Sequence, residues 1–165
     1  MAADHILVRP ATPADAAALV AVLHDTFEST WRPNISVEAA RAFLAEARAA
    51  SYVAESGAAF WVAEIAGEVV GLVHWQDDFV HALHVRSTEA RRGVGARLMD
   101  RAEAGMAVAG FAVARLETDT FNENSQAFYR DRGYREAGRY PDEMWDSGLT
   151  TVLLVKALEP TPISD

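Results

Sequence analysis

The 165-residue chain predicts one α+β domain whose strands and helices follow the order βααβββαβαββ. Three observations predict it. Strand-like runs cluster in the middle, at 60–65, 69–75 and 79–85, with Ala66-Gly67-Glu68 and a turn at Asp77-Asp78 between them. Arginine and glycine punctuate the end of the last of these runs, and a helix-period pattern follows at once. The remainder then reads strand, short helix and two strands, with no internal repeat and no linker.

Each element has a local reason. Ile6-Leu7-Val8-Arg9 predicts a short strand, and Thr12-Pro13-Ala14-Asp15 supplies an N-cap, a proline at the first helical position and a first-turn carboxylate. Leu19, Leu23 and Phe27 recur every four residues, which carries the first helix to about Thr26 or Phe27. Trp31-Arg32-Pro33-Asn34 interrupts that pattern, and Ser36 can cap a second helix whose expected buried stripe is Val37, Ala40, Leu44 and Ala47. After the central strands, Leu98, Ala102, Met106 and Ala109 mark a helix that ends at Gly110. A strand over 113–118, a helix over 125–132 stopped by Gly133, and strands over 134–139 and 149–155 complete the set. The domain is expected over 1–158, with 159–165 as a tail.

Composition narrows the chemistry. The chain is 50% hydrophobic and 24% charged, ordinary for a globular protein. It contains no cysteine, which excludes disulfides, thiolate metal sites and a cysteine nucleophile. No metal is expected, because the histidines and carboxylates lack ligand spacing. The longest apolar stretch, 104–114, spans 11 residues with two glycines, too short to cross a bilayer, and the first residues lack a basic, apolar leader. A cytoplasmic location with no membrane partner is the expectation.

Net charge is −9, but its distribution is uneven. Residues 86–139 carry 10 basic and 8 acidic side chains, against 4 and 11 in 1–85 and 1 and 5 in 140–165. This is opposite to the broad basic face of a nucleic-acid protein, so no nucleic-acid partner is expected. An anion site inside an acidic body suits a phosphorylated cofactor together with a cationic second substrate.

The anion site itself is Leu83-His84-Val85 followed, after five residues, by Arg91-Arg92-Gly93-Val94-Gly95-Ala96. Glycine lets backbone turn tightly and approach a ligand. The first N–H groups of the next helix have no internal acceptor and sit at the positive end of its dipole. A dinucleotide fold is disfavoured, because the third glycine is missing and the preceding strand follows a hairpin. No GxxxxGK[ST] occurs, so a P-loop is excluded.

The motif has a second signature downstream: Leu116-Glu117-Thr118-Asp119-Thr120-Phe121-Asn122, then Glu123 to Tyr129, with Gly133-Tyr134 close behind. The two together, correctly ordered across residues 5–157, resemble the GNAT superfamily of acetyl-CoA-dependent N-acetyltransferases. The resemblance implies a mixed, mostly antiparallel sheet of about seven strands with helices on both faces, a three-layer α/β sandwich in some schemes. One departure is Ala90, where the family often has Gln or Arg.

What the resemblance implies for the site is specific. Acetyl-CoA is the expected donor, its pyrophosphate held by Arg91, Arg92, Gly93, Val94, Gly95 and Ala96. Its pantetheine arm pairs with Leu83, His84 and Val85, and Asn122 and Ser125 stand beside it. Tyr129 is the expected acid that protonates the thiolate, and Glu117 the expected base, directly or through a water. Their twelve-residue spacing is similar to that of ribosomal-protein alanine acetyltransferases, in which these positions serve as base and acid.

The acceptor is expected to be a small-molecule amine or an amine of a protein or peptide, flanked by Trp31, Tyr140 and Trp145 together with Asp142, Glu143 and Asp146. His81 and His84, on opposite faces of their strand by alternation, are alternative bases. Tyr134 reads as packing. A non-catalytic acetyl-CoA-binding or sensing module is the competing function, and a homodimer is left open.

Overall fold

The computed structural model describes residues 5–45, 47–141 and 149–159. Seven strands build one mixed sheet in the order β1-β2-β3-β4-β5-β7-β6. β1 (Ile6–Pro10), β2 (Trp61–Ile65), β3 (Glu68–Gln76) and β4 (Phe79–Val85) form an antiparallel meander on one side. β5 (Val113–Asp119) joins β4 in parallel, and β6 (Arg135–Pro141) pairs with β7 (Thr150–Ala157), which pairs antiparallel with β5.

Alternation along the strands gives the sheet two apolar faces. On one, Val62 and Leu72 meet Leu19, Val22 and Phe27 of the first helical stretch. On the other, Val73, Leu116 and Leu154 meet Leu98, Met99 and Met106. The first face is covered by α1 (Ala16–Thr26), α2 (Val37–Ala45) and α3 (Arg48–Ser56), and the second by α4 (Val94–Val108) with α5 (Glu123–Asp131).

Two expectations are corrected here. The single second helix is two helices, so the order becomes βαααβββαβαββ. The chain breaks at Ala47, which adopts a left-handed backbone with φ 47°. Val37 and Leu44 of the expected stripe are therefore exposed at 64% and 41%, Ala47 is exposed, and only Ala40 is buried. Phe43 takes their place, stacked on Phe27 at a ring separation of 4.0 Å. No Gly or Pro marks the break, because the packing of Phe43 and Val53 against α1 and the sheet decides it.

The second correction concerns β4. His74 pairs with Ala82 but Trp75 pairs with Val80, so His81 is a bulged residue with no partner on β3. Alternation fails across the bulge. His81 packs on the ring of His74, which lies against Tyr52 and Phe60, while His84 meets Thr26 of α1. Both histidines therefore face the α1–α3 side.

The pairing of β4 with β5 positions the site. It is confined to Phe79↔Arg115 and Val80↔Leu116, although both strands continue beyond. The Arg115 N–H donates to Asp78 O at 2.7 Å, and its guanidinium grips the Asp78 carboxylate with two 2.9 Å bonds, which pins the closed end. Past that point the strands part and leave a cleft in the middle of the sheet.

Candidate active site

The cleft opens at the C-terminal end of β4, where the backbone is left with free hydrogen-bonding groups. The Arg86 N–H bonds Val70 O of β3 at 2.7 Å, and His84 lies opposite Leu72 in the same register. Antiparallel alternation then turns the N–H and C=O of Leu83 and Val85 toward β5, where pairing has ceased. Their side chains pack against the α4 core.

The loop after β4 turns through Arg91 (φ 65°) and Gly93 (φ 85°) into the first turn of α4. The first intrahelical bond of that turn is Arg97 N–H to Gly93 O, at 3.1 Å. The N–H groups of Gly93, Val94, Gly95 and Ala96 therefore donate to no acceptor among the described residues. A Cβ on Gly93 would meet nothing within 4 Å, so the space above the loop is open, and its left-handed backbone is the one that glycine takes without cost. Arg91 is exposed, whereas Arg92 pairs with the carboxylate of Glu89.

Glu89 is one of three supports that local sequence reading did not single out. Buried to 8% exposure, it also accepts from Arg86 at 2.9 Å, so two arginines are drawn together under the loop. Asp25, on α1, accepts from the Ser87 N–H at 2.7 Å and the Ser87 hydroxyl at 2.9 Å, holding the loop's start. Gly71 is the third. A Cβ there would lie 3.0 Å from His84 O and 3.1 Å from Leu98 and Val94, so its absence lets α4 dock tightly over the end of β4. A glycine inside a strand pattern is the sequence signal for such an approach.

α5 closes the other side. Asn122 caps it, its Oδ1 accepting from the Ser125 N–H at 3.1 Å, and the Thr118 hydroxyl donates to that of Ser125 at 3.0 Å. Arg132 joins α5 to α4 through Glu103 at 3.0 Å and Asp100 at 2.9 Å, and Tyr134 and Lys156 also donate to Glu103. Tyr134 thus packs and braces, as expected. Tyr129 is buried among Leu116, Val152 and Leu154, and its hydroxyl bonds to no described residue. Burial raises it above the ordinary tyrosine value, so it remains a proton donor.

Glu117 stands on the opposite face from Tyr129, exposed on β5 beside the split between β4 and β5. The Tyr140 hydroxyl reaches its carboxylate from β6; burial first, and then this carboxylate, push Tyr140 up to about 12. His84 lies 2.8 Å from the Thr26 hydroxyl, and burial takes it down to about 4, so it is neutral near pH 7. At the mouth, Trp31, in a π-helical turn over Phe27–Trp31, meets Phe121 edge-on at 5.7 Å. Trp145, with Asp142, Glu143 and Asp146, lies outside the described residues.

Comparisons with known proteins agree with this geometry. The sequence pattern of the acetyltransferase (GNAT) family matches residues 20–134. The blasticidin-S acetyltransferase of Streptomyces morookaense is 39% identical over 95 residues, covering 58% of this chain and 68% of that protein. A GCN5-related N-acetyltransferase from Rhodopseudomonas palustris superposes with a TM-score of 0.80 at 25% identity, over 96% of this chain and 99% of the other. An N-acetyltransferase from Thermoplasma acidophilum, solved in complex with coenzyme A, shares the fold at a TM-score of 0.74 and 16% identity, over 93% and 99%.

Proposed function

The chain belongs to the acetyltransferase (GNAT) family and is an acyltransferase, and on that premise we propose that it transfers the acetyl group of acetyl-CoA to a primary amine by direct attack in a ternary complex. The observation that carries the donor is the run of unbonded N–H groups at Gly93, Val94, Gly95 and Ala96, with open space at Gly93. Backbone donors at a helix start suit a pyrophosphate, whose charge also meets the helix dipole. The free edge of Leu83 and Val85 suits the amides of the pantetheine arm, as an added strand would.

Acetyl-CoA supplies an activated acyl carbon, and this chain's residues supply orientation and proton handling. A free β4 N–H beside the cleft is placed to stabilise charge on the thioester oxygen, worth about 3–4 kcal/mol in comparable sites. Tyr129, kept protonated by burial, gives its proton to the leaving sulfur. Glu117 presents the negative charge that draws an ammonium group to the far face of the split, with Trp31 and Tyr140 as its aromatic flank. With no cysteine in the chain, direct attack needs no thioester on the enzyme.

Thiol release from acetyl-CoA across a panel of amines, blasticidin S among them, tests this reading. Turnover on at least one amine is expected. Tight coenzyme A binding with no turnover on any amine overturns it in favour of a sensing module.

A further inference from the structure

A cluster of ionisable side chains on the α1–α3 face has no part in the acetyl-CoA site described above. His81, exposed at the β4 bulge, has its ring 5.1 Å from that of His74 and 5.0 Å from Phe79. His74 is held in place: its Nδ1 lies 2.5 Å from the Tyr52 hydroxyl, and Phe60 packs on it at 5.2 Å. Burial pushes Tyr52 up to about 12, so it keeps its proton. Burial lowers His74, which favours its neutral ring. Across the split, the charge of Glu117 acts on His81. Behind Glu117 stand Tyr140 and Arg115, the latter already held by Asp78.

We propose that His81 takes the proton of the acceptor amine, with Glu117 as its counter-charge and the Tyr52–His74 pair as a neutral wall behind it. This rests on the reading that the acceptor is an amine. His81 takes one proton from the ammonium group, which frees the nitrogen lone pair. The nitrogen then bonds to the acetyl carbon as the C–S bond breaks, and the proton it sheds on becoming an amide replaces, through solvent, the one that Tyr129 gives up. The sulfur takes its proton from Tyr129. His81, being exposed, then returns its proton to water.

The arrangement favours an imidazole over the Glu117 carboxylate as the base. A base works best when its own pKa lies near the operating pH, and histidine meets that where a carboxylate does not. Burial lowers both His74 and His81, and the charge of His81 lowers His74 further, which disfavours a second positive charge on the pair. The bulge is what brings His81 to this face. In regular register it would sit on the other side of the sheet.

Two measurements decide it. Ring-proton NMR titration of the wild type and of Glu117→Gln is expected to show His81 titrating below the ordinary histidine value, with its midpoint falling further when the carboxylate is removed. An unmoved midpoint overturns the pairing whether or not any amine is turned over. The second is kinetic, on amines that the wild type acetylates. His81→Gln is expected to lose about 100-fold in kcat on an alkylamine, which is protonated at pH 7, and far less on a weakly basic amine that is already neutral. Acetyl-CoA Kd should stay unchanged, with His81→Asn as a second variant. Equal losses on both amines, or none on either, overturn the proposal, whereas a wild type inactive on every amine overturns the amine reading itself.

Discussion

The Thr26 hydroxyl lies 2.8 Å from Nδ1 of His84 and 3.1 Å from Leu23 O, so helix α1 and the cleft-forming strand β4 share one hydrogen-bonded chain. With its own proton on Leu23 O, the hydroxyl accepts from Nδ1–H, and the neutral ring has its lone pair at Nε2. Burial holds the folded His84 at about 4 against 6.5 for the free group. The unfolded chain therefore binds the extra proton first. Stability from this histidine is present above pH 6.5 and is lost as pH falls toward 4, by about 3 kcal/mol at most. Urea unfolding at pH 7 and pH 4.5 checks this, and His84→Gln should flatten the difference.

Thr26→Val removes the partner of Nδ1 while keeping the shape of the side chain. A buried donor left without an acceptor costs about 1–3 kcal/mol. Denaturant midpoints should fall accordingly, with acetyl-CoA turnover at 25 °C reduced far less than the stability.

Tyr129→Phe should lower kcat at least tenfold, or about 1.4 kcal/mol of barrier, and leave acetyl-CoA affinity nearly unchanged. Because burial raises this phenol, its proton is retained through pH 10, and the wild type should show no loss of acid function below that pH. Steady-state kinetics with parallel binding titrations checks both points. Weaker binding with unaltered turnover would count against the acid role.

Gly71→Ala should raise the acetyl-CoA Kd by displacing the start of α4, whose N–H groups are the proposed phosphate donors. The new Cβ meets backbone at His84 O, 3.0 Å away, as well as Leu98 and Val94, so α4 must move outward. Overpacking of this kind costs about 1–3 kcal/mol. Calorimetric binding and thermal unfolding should both register it.

Glu89→Ala should weaken acetyl-CoA about tenfold or more, since the bonds from two arginines that shape the loop are worth more than 1.4 kcal/mol together. A bulky residue at Gly93 should raise Kd through a different route, by filling the open space above the loop, and one at Gly95 by pressing on Phe128, which lies 3.4 Å from a Cβ there. Circular dichroism distinguishes a local loop effect from unfolding.

Much was legible in the chain itself, and the reason is local chemistry. The strand runs, the Ser36 cap confirmed by its 3.1 Å bond to the Ala39 N–H, and the stripe Leu98, Ala102, Met106 all follow from periodicity and from single residues next to them. The unbonded N–H groups at 93–96 were foreseeable because any helix start after such a loop must have them. Other features depend on residues far apart in sequence. The break at Ala47 answers to Phe43 on Phe27, and the buried Glu89 is defined by the arginines folded around it. The bulge that carries His81 to the face of His74 arises from pairing with β3, which no window of β4 records. Local sequence thus determined the elements and the donor loop, because caps, turns and periodicity act within a few residues. The tertiary structure decided which side chains share each face of the split, because a one-residue shift in strand register turns a side chain to the other side.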